Sequence, residues 1–110
     1  WDQYHAELVK YEENGYLRRP IIPAQIQHNA HMYYILLNSL DERMSVIERL
    51  KKKQINAVFH YVPLHSSPGG LKYGRKNGGL PFTENLSDRL LRLPLWVGMH
   101  EVKAICAELF

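Results

Sequence analysis

Cysteine is almost missing from this chain. Cys106 stands alone, so no disulfide can form within the 110 residues. Long apolar runs are missing too. No stretch of eighteen apolar residues occurs, which excludes a membrane-spanning helix of ordinary length. The first residues carry no signal-peptide pattern. These features fit a reducing compartment, and we expect a cytoplasmic protein. A strong charge of either sign is also lacking. Fourteen Lys/Arg face eleven Asp/Glu, a formal charge of +3. The one dense basic run is Lys51-Lys52-Lys53, too short for a nucleic-acid footprint, so no nucleic-acid partner is expected. No Walker loop, paired-carboxylate site or Ser-His-Asp order is readable. The glycines from Gly69 to Gly79 do not follow a strand and open a helix at dinucleotide spacing.

What is present describes one small globular domain. Hydrophobic residues make up 45% and charged residues 23%, the balance of a folded chain of one core. Trp1, Tyr4, Leu8 and Tyr11 recur at helical spacing, and Asn14-Gly15 should end that helix. Pro20 and Pro23 impose an extended stretch. Met32–Leu37 reads as a strand with apolar residues on both faces, which favours a central position. Ser39 and Glu42 form a capping box for a helix reaching Lys53, with Met44, Val46, Ile47 and Leu50 inward.

Ile55–His60 is a second strand. Residues 66–79 read as a long functional loop. Thr83 can cap a helix carrying Leu86, Leu90 and Leu91, and Leu91–Pro94 is a short third strand. Val102, Ile105, Cys106 and Leu109 complete the pattern as a last amphipathic helix, with Cys106 in the core. The fold class is therefore α+β: a small mixed or antiparallel sheet of about three strands with helices packed on it. A helix joins the first two strands, so a parallel relation is expected. The third strand should lie between or beside them, antiparallel.

The segment Ala57-Val58-Phe59-His60-Tyr61-Val62-Pro63-Leu64-His65 is the most informative. An apolar strand runs directly into two histidines, a tyrosine and a proline rather than into turn residues. Imidazoles and a phenol at a strand exit suit recognition of a sugar or phosphate at a cleft mouth. Pro63 stiffens the exit and would set where His65 points. His28 and His31 stand at H-x-x-H spacing. At a strand entrance that spacing puts them on opposite sides, and no metal site is expected.

These residues also carry a resemblance. His28-Asn29-Ala30-His31-Met32-Tyr33-Tyr34, Glu42-Arg43, the run from Ala57 to His65, and Arg89-Leu90-Leu91-Arg92-Leu93-Pro94-Leu95 resemble the C-terminal part of the DegT/DnrJ/EryC1/StrS sugar-nucleotide aminotransferases. The resemblance covers nearly the whole chain. It implies a homodimeric enzyme that uses pyridoxal 5'-phosphate. That enzyme would move an amino group from L-glutamate to a 4-keto-6-deoxy sugar nucleotide, TDP-linked, for cell-surface polysaccharide or lipopolysaccharide.

The resemblance implies a division of the chain as well. Residues 1–22 would be the end of an interdomain connecting helix and linker, and residues 23–110 the C-terminal small domain. The lysine-bearing large domain would lie outside this sequence, which begins at Trp1 inside a helical pattern without an initiator Met. His60 would then lie near cofactor and sugar, with Tyr61, His65, Asn29 and His31 nearby. No lysine here matches the catalytic motif, so the chain alone should be inactive. As an excised domain it should expose Trp1, Tyr4 and Trp96. A free-standing sugar-nucleotide-binding or dimerisation module without catalysis is the alternative reading.

Overall fold

The structure, a computed structural model, describes residues 1–110. The first helical pattern forms as two short helices, α1 (Asp2–Glu7) and α2 (Val9–Glu13), meeting at Leu8. Tyr4 and Leu8 are fully buried. Gly15 ends the run at φ +76, a conformation that glycine adopts without steric cost. Its N–H bonds to the Glu12 carbonyl, and that of Tyr16 to the Tyr11 carbonyl. The expectation that Tyr4 would be exposed is corrected. Its ring stacks on Tyr33 at 5.0 Å, and its hydroxyl donates to the Pro94 carbonyl at 2.9 Å.

The sheet has the order β1 (Tyr33–Leu36), β3 (Leu90–Leu93), β2 (Val58–Phe59). Both outer strands run antiparallel to β3, with Ile35 opposite Leu91 and Phe59 opposite Leu91. They are therefore parallel to each other, as the connecting helix α3 (Leu40–Lys52) requires, but not hydrogen-bonded neighbours. The expectation of a central β1 is corrected: β3 is central and β1 lies outside it. Two apolar faces report coverage above and below a strand and are silent about its edges. Arg18 partly covers the free edge of β1 by exchanging backbone hydrogen bonds with Leu36 at 2.8 and 2.9 Å.

In α3 the Ser39 hydroxyl accepts from the Glu42 N–H at 3.1 Å, as expected. Glu42 reaches one residue further back than a standard box, accepting from the Asn38 N–H at 3.0 Å. Val46 and Leu50 face inward, but Met44 is exposed and Arg43 takes the inward position. Arg43 lies at i−3 and i−7 from Val46 and Leu50, the same stripe of the helix. The expectation of an inward Met44 is corrected, because the stripe set by Val46 and Leu50 passes through Arg43 instead.

The stretch 66–79 is more ordered than a loop. A 3-10 turn (Leu64–Ser66) leads into α4 (Pro68–Tyr73), whose N-cap Ser67 accepts from the Gly70 N–H at 3.0 Å. Helix α5 (Pro81–Arg89) starts at Pro81 rather than being capped by Thr83, because the fixed φ of proline suits a first helical position. It stops at Arg89, and Leu90 and Leu91 belong to β3. Helix α6 (Val102–Ala107) buries Val102, Ile105 and Cys106, with Leu109 beyond its end, as their spacing predicted. One core joins these residues to Tyr4, Leu8, Leu17, Tyr33, Ile35, Leu50, Leu91 and Leu93.

Polar contacts tie the N-terminal helices to the extended segment. Glu12 accepts from both the backbone N–H and Nε of Arg19, each at 2.7 Å, and Arg19 Nη1 donates to the His5 carbonyl at 2.6 Å. Burial pushes the Glu12 carboxyl up, but these Arg19 contacts outweigh it and hold its pKa below the ordinary 4.5. Burial and the Arg19 guanidinium hold the His5 imidazole below its ordinary 6.5. Burial raises the Cys106 thiol to about 12.

Four outcomes are expected from these contacts. Ser39→Ala should cost about 1 kcal/mol in denaturant unfolding through loss of the cap. Cys106 should stay unmodified by a thiol reagent at pH 8 until denaturant is added, since a buried thiol is neither ionised nor reachable. Unfolding free energy should fall as the pH drops below 6.5, where unfolded His5 takes up a proton that the folded form resists. It should fall again below 4.5, where unfolded Glu12 does the same. Glu12→Gln should flatten the second fall while lowering stability at pH 7 by about 0.5–1 kcal/mol.

Candidate functional site

Strand β2 is short because its chain leaves the sheet at His60. Arg43 packs over the Phe59 ring at 4.9 Å, one residue before that exit, and its Nη1 donates to the Ser87 carbonyl of α5. Arg43 is 7% exposed, and burial lowers its pKa. Its Nε has no partner. The base of the exit is thus clamped between α3 and α5.

His60 is half-buried, and its ring lies against Tyr61 at 3.8 Å between centroids. Its Nδ1 is buried without a hydrogen-bond partner. The residue lines a cavity of about 890 Å3 between the exit of β2, the end of β3, the approach to β1 and α6. His31, Arg92, Trp96 and Glu101 share that lining. His31 is oriented from behind, with Nδ1 2.6 Å from the Asn29 amide oxygen. A cavity of this size with imidazole, guanidinium, carboxylate and indole on an apolar wall can hold a ring-shaped polar molecule.

The five residues singled out in the sequence do not form one cluster. His60 and His31 meet at the large cavity, with Asn29 supporting His31. Tyr61 is exposed and lies outside that lining. His65 is turned away by the Pro63–Ser66 turn. It lines a second cavity of about 460 Å3, with Nε2 3.0 Å from Glu84 Oε1. His28 packs on Trp1 at 4.4 Å and is separate from His31. Both precede β1, with Ala30 between them at φ 53, so the strand alternation assumed for them does not apply.

Reasoning from sequence missed Arg92. Its signal was available: a single charge in the apolar run Leu90–Leu95 marks a face that is not core. Trp96 is 57% exposed beside the cavity, as expected for the exposed face, and Trp1 is half-buried. All seven lysines are exposed. No helix is long and apolar enough to cross a membrane.

A protein of Methanocaldococcus jannaschii described as uncharacterized is 34% identical over 103 residues, covering 89% of this chain and 26% of its own length. Among solved structures, a DegT/DnrJ/EryC1/StrS aminotransferase from Brucella abortus matches with a TM-score of 0.73 and 26% identity. The match covers 98% of this chain and 30% of that one. Helicobacter pylori PseC, an aminotransferase involved in pseudoaminic acid biosynthesis, matches in fold with a TM-score of 0.81 at 18% identity. That match covers 98% of this chain and 30% of PseC. The chain therefore spans about a quarter to a third of the length of these relatives. Residues 1–110 match one family over their whole length, and the chain belongs to the DegT/DnrJ/EryC1/StrS aminotransferase family.

Proposed function

We propose that residues 23–110 are the C-terminal small domain of a pyridoxal-phosphate-dependent sugar-nucleotide aminotransferase. Residues 1–22 would be the end of the connecting helix and linker. In this reading the whole protein is a cytoplasmic homodimer. It moves an amino group from L-glutamate to a TDP-linked 4-keto-6-deoxy sugar, of the enterobacterial common antigen type, for cell-surface polysaccharide. The observation that carries the reading is His60: an imidazole with an unpartnered buried Nδ1 at the wall of a large polar-lined cavity, in a chain of this family. The chain's coverage of 26–30% of its relatives supports a further, larger domain in the whole protein.

The cofactor, when bound, serves as the electron sink and amino-group carrier. Its anchor does not fit this chain. A Schiff base needs a desolvated lysine, and all seven lysines here are exposed. The anchoring residue belongs to the large domain in this reading. This chain contributes one wall: His60 orients a sugar hydroxyl or carbonyl by hydrogen bonding, and His31, held by Asn29, offers a second polar edge. Arg92 supplies a positive charge, and Trp96 an apolar face for a sugar ring. Tyr61 and His65 continue the wall toward the smaller cavity.

The test is amino transfer from L-glutamate to TDP-4-keto-6-deoxy-D-glucose by the full-length protein. Wild type should turn over, residues 1–110 alone should not, and His60→Ala should lower turnover about tenfold or more through lost positioning. Equal kinetics in wild type and His60→Ala would remove His60 from the site. Activity of residues 1–110 alone would remove the large-domain assignment.

A further inference from the structure

Helix α5 has no buried residue, so its place in the fold rests on polar contacts more than on the core. Its last residue is fixed to the end of β1. Arg89 Nε donates to the Leu37 carbonyl at 2.6 Å, and the Leu37 N–H donates to the Arg89 carbonyl at 3.0 Å. Two residues earlier, the Ser87 carbonyl accepts from Arg43, whose guanidinium lies over Phe59. In the first turn of α5, Glu84 Oε1 lies 3.0 Å from His65 Nε2. The Ser87 and Glu84 contacts fall on either side of His60. Between them Tyr61 and Val62 make no backbone hydrogen bond, and Tyr61, Val62 and Leu64 are exposed. The stretch that carries His60 has little of its own to hold it, and both its ends are tied to one helix.

The His65–Glu84 contact differs from an ordinary surface pair. The imidazole side chain is only 10% exposed, although that of Glu84 is 50% exposed. A carboxylate only accepts, so Nε2 carries the hydrogen and donates it. Lys76 stands 3.9 Å from the same oxygen with an exposed side chain, a geometry in which an ion pair adds little. From the other side α4 presses on the same turn. A Cβ at Gly70 would lie 1.6 Å from the Leu64 carbonyl oxygen, so only glycine lets α4 seat there.

We infer that α5 is a brace for the His60 segment, and that Glu84 is a positioning residue that acts on His60 through His65. Arg43 fixes the segment where it leaves the sheet. Glu84 fixes it where it enters the Leu64–Ser66 turn. With both ends held, His60 keeps its place on the wall of the large cavity while its neighbours stay exposed. The effect on turnover rests on the function proposed above for His60, whereas the brace itself does not.

The experiment is hydrogen exchange of the full-length protein, read by mass spectrometry, with kinetics of the same variants. Glu84→Ala should speed amide exchange in residues 64–74 about tenfold and leave α6 as in wild type. Glu84→Gln, which can still accept from His65, should recover most of the protection, and Lys76→Gln should change it less than about twofold. The slow exchange of the His60 imidazole C2–H, which quickens as the ring gains solvent, should follow the same order. Unchanged exchange at 64–74 and at the His60 ring in Glu84→Ala would overturn the brace, as would equal loss in Glu84→Gln and Glu84→Ala. In amino transfer, Glu84→Ala should lower kcat/KM about tenfold, but cost less than about twofold when added to His60→Ala. Equal costs on both backgrounds would show that Glu84 does not act through His60 and overturn the positioning role. A wild-type protein inactive on the sugar nucleotide would count against the proposed function, and the two exchange readings would then decide the brace.

Discussion

Strand β3 hydrogen-bonds to β1 along one edge and to β2 along the other, and the rest of the molecule is arranged around those two seams. Its leucines at 91 and 93 are buried, while Arg92 between them reaches the cavity. Period-two alternation makes one strand serve as core on one face and site wall on the other. The β1–β3 seam brings the approach to β1, with His31, to the end of β3. The β2–β3 seam sets Val58 opposite Arg92, so the strand that leads to His60 borders the same cavity wall. Without β3 in the centre, the two histidines would belong to different parts of the chain.

The exit at His60 is stiffened from below. Arg43 is a buried cation without a carboxylate in contact, an arrangement that usually costs stability. Its guanidinium lies over Phe59 and bonds to a carbonyl at the end of α5, so it couples three elements at the residue preceding His60. From the other direction, Asn29 fixes His31, and Tyr4 ties α1 to Pro94 just past β3. Side chains that line the large cavity are thus held by groups behind them, which preserves their geometry when a ligand replaces water.

Much of the fold was legible because it depends on local periodicity. The stripe of α6, the Ser39 cap, the Gly15 stop and the existence of three strands follow from spacing and backbone preference. The misreadings share one cause. Met44 and Arg43 are adjacent on α3, and the stripe of Val46 and Leu50 takes the arginine into the interior rather than the methionine. The central place given to β1 came from two apolar faces. Glycine content in 66–79 suggests a loop, whereas Gly70 there lets α4 pack against the Leu64 backbone. Composition describes the average surroundings of a residue and does not record which neighbour it meets.

The α+β class, the parallel relation of β1 and β2, the core residues of α6 and the family of the chain were all readable before folding. These rest on short-range patterns and motif order, which need no folded chain to be read. Folding alone brings His60 and His31 to one cavity, sends His65 to another, and adds Arg92 and Trp96 to the first wall. Those relations join residues 29 to 65 positions apart in the chain. Strand pairing and the direction of one turn at Pro63 set them, and both are consequences of packing the whole core at once.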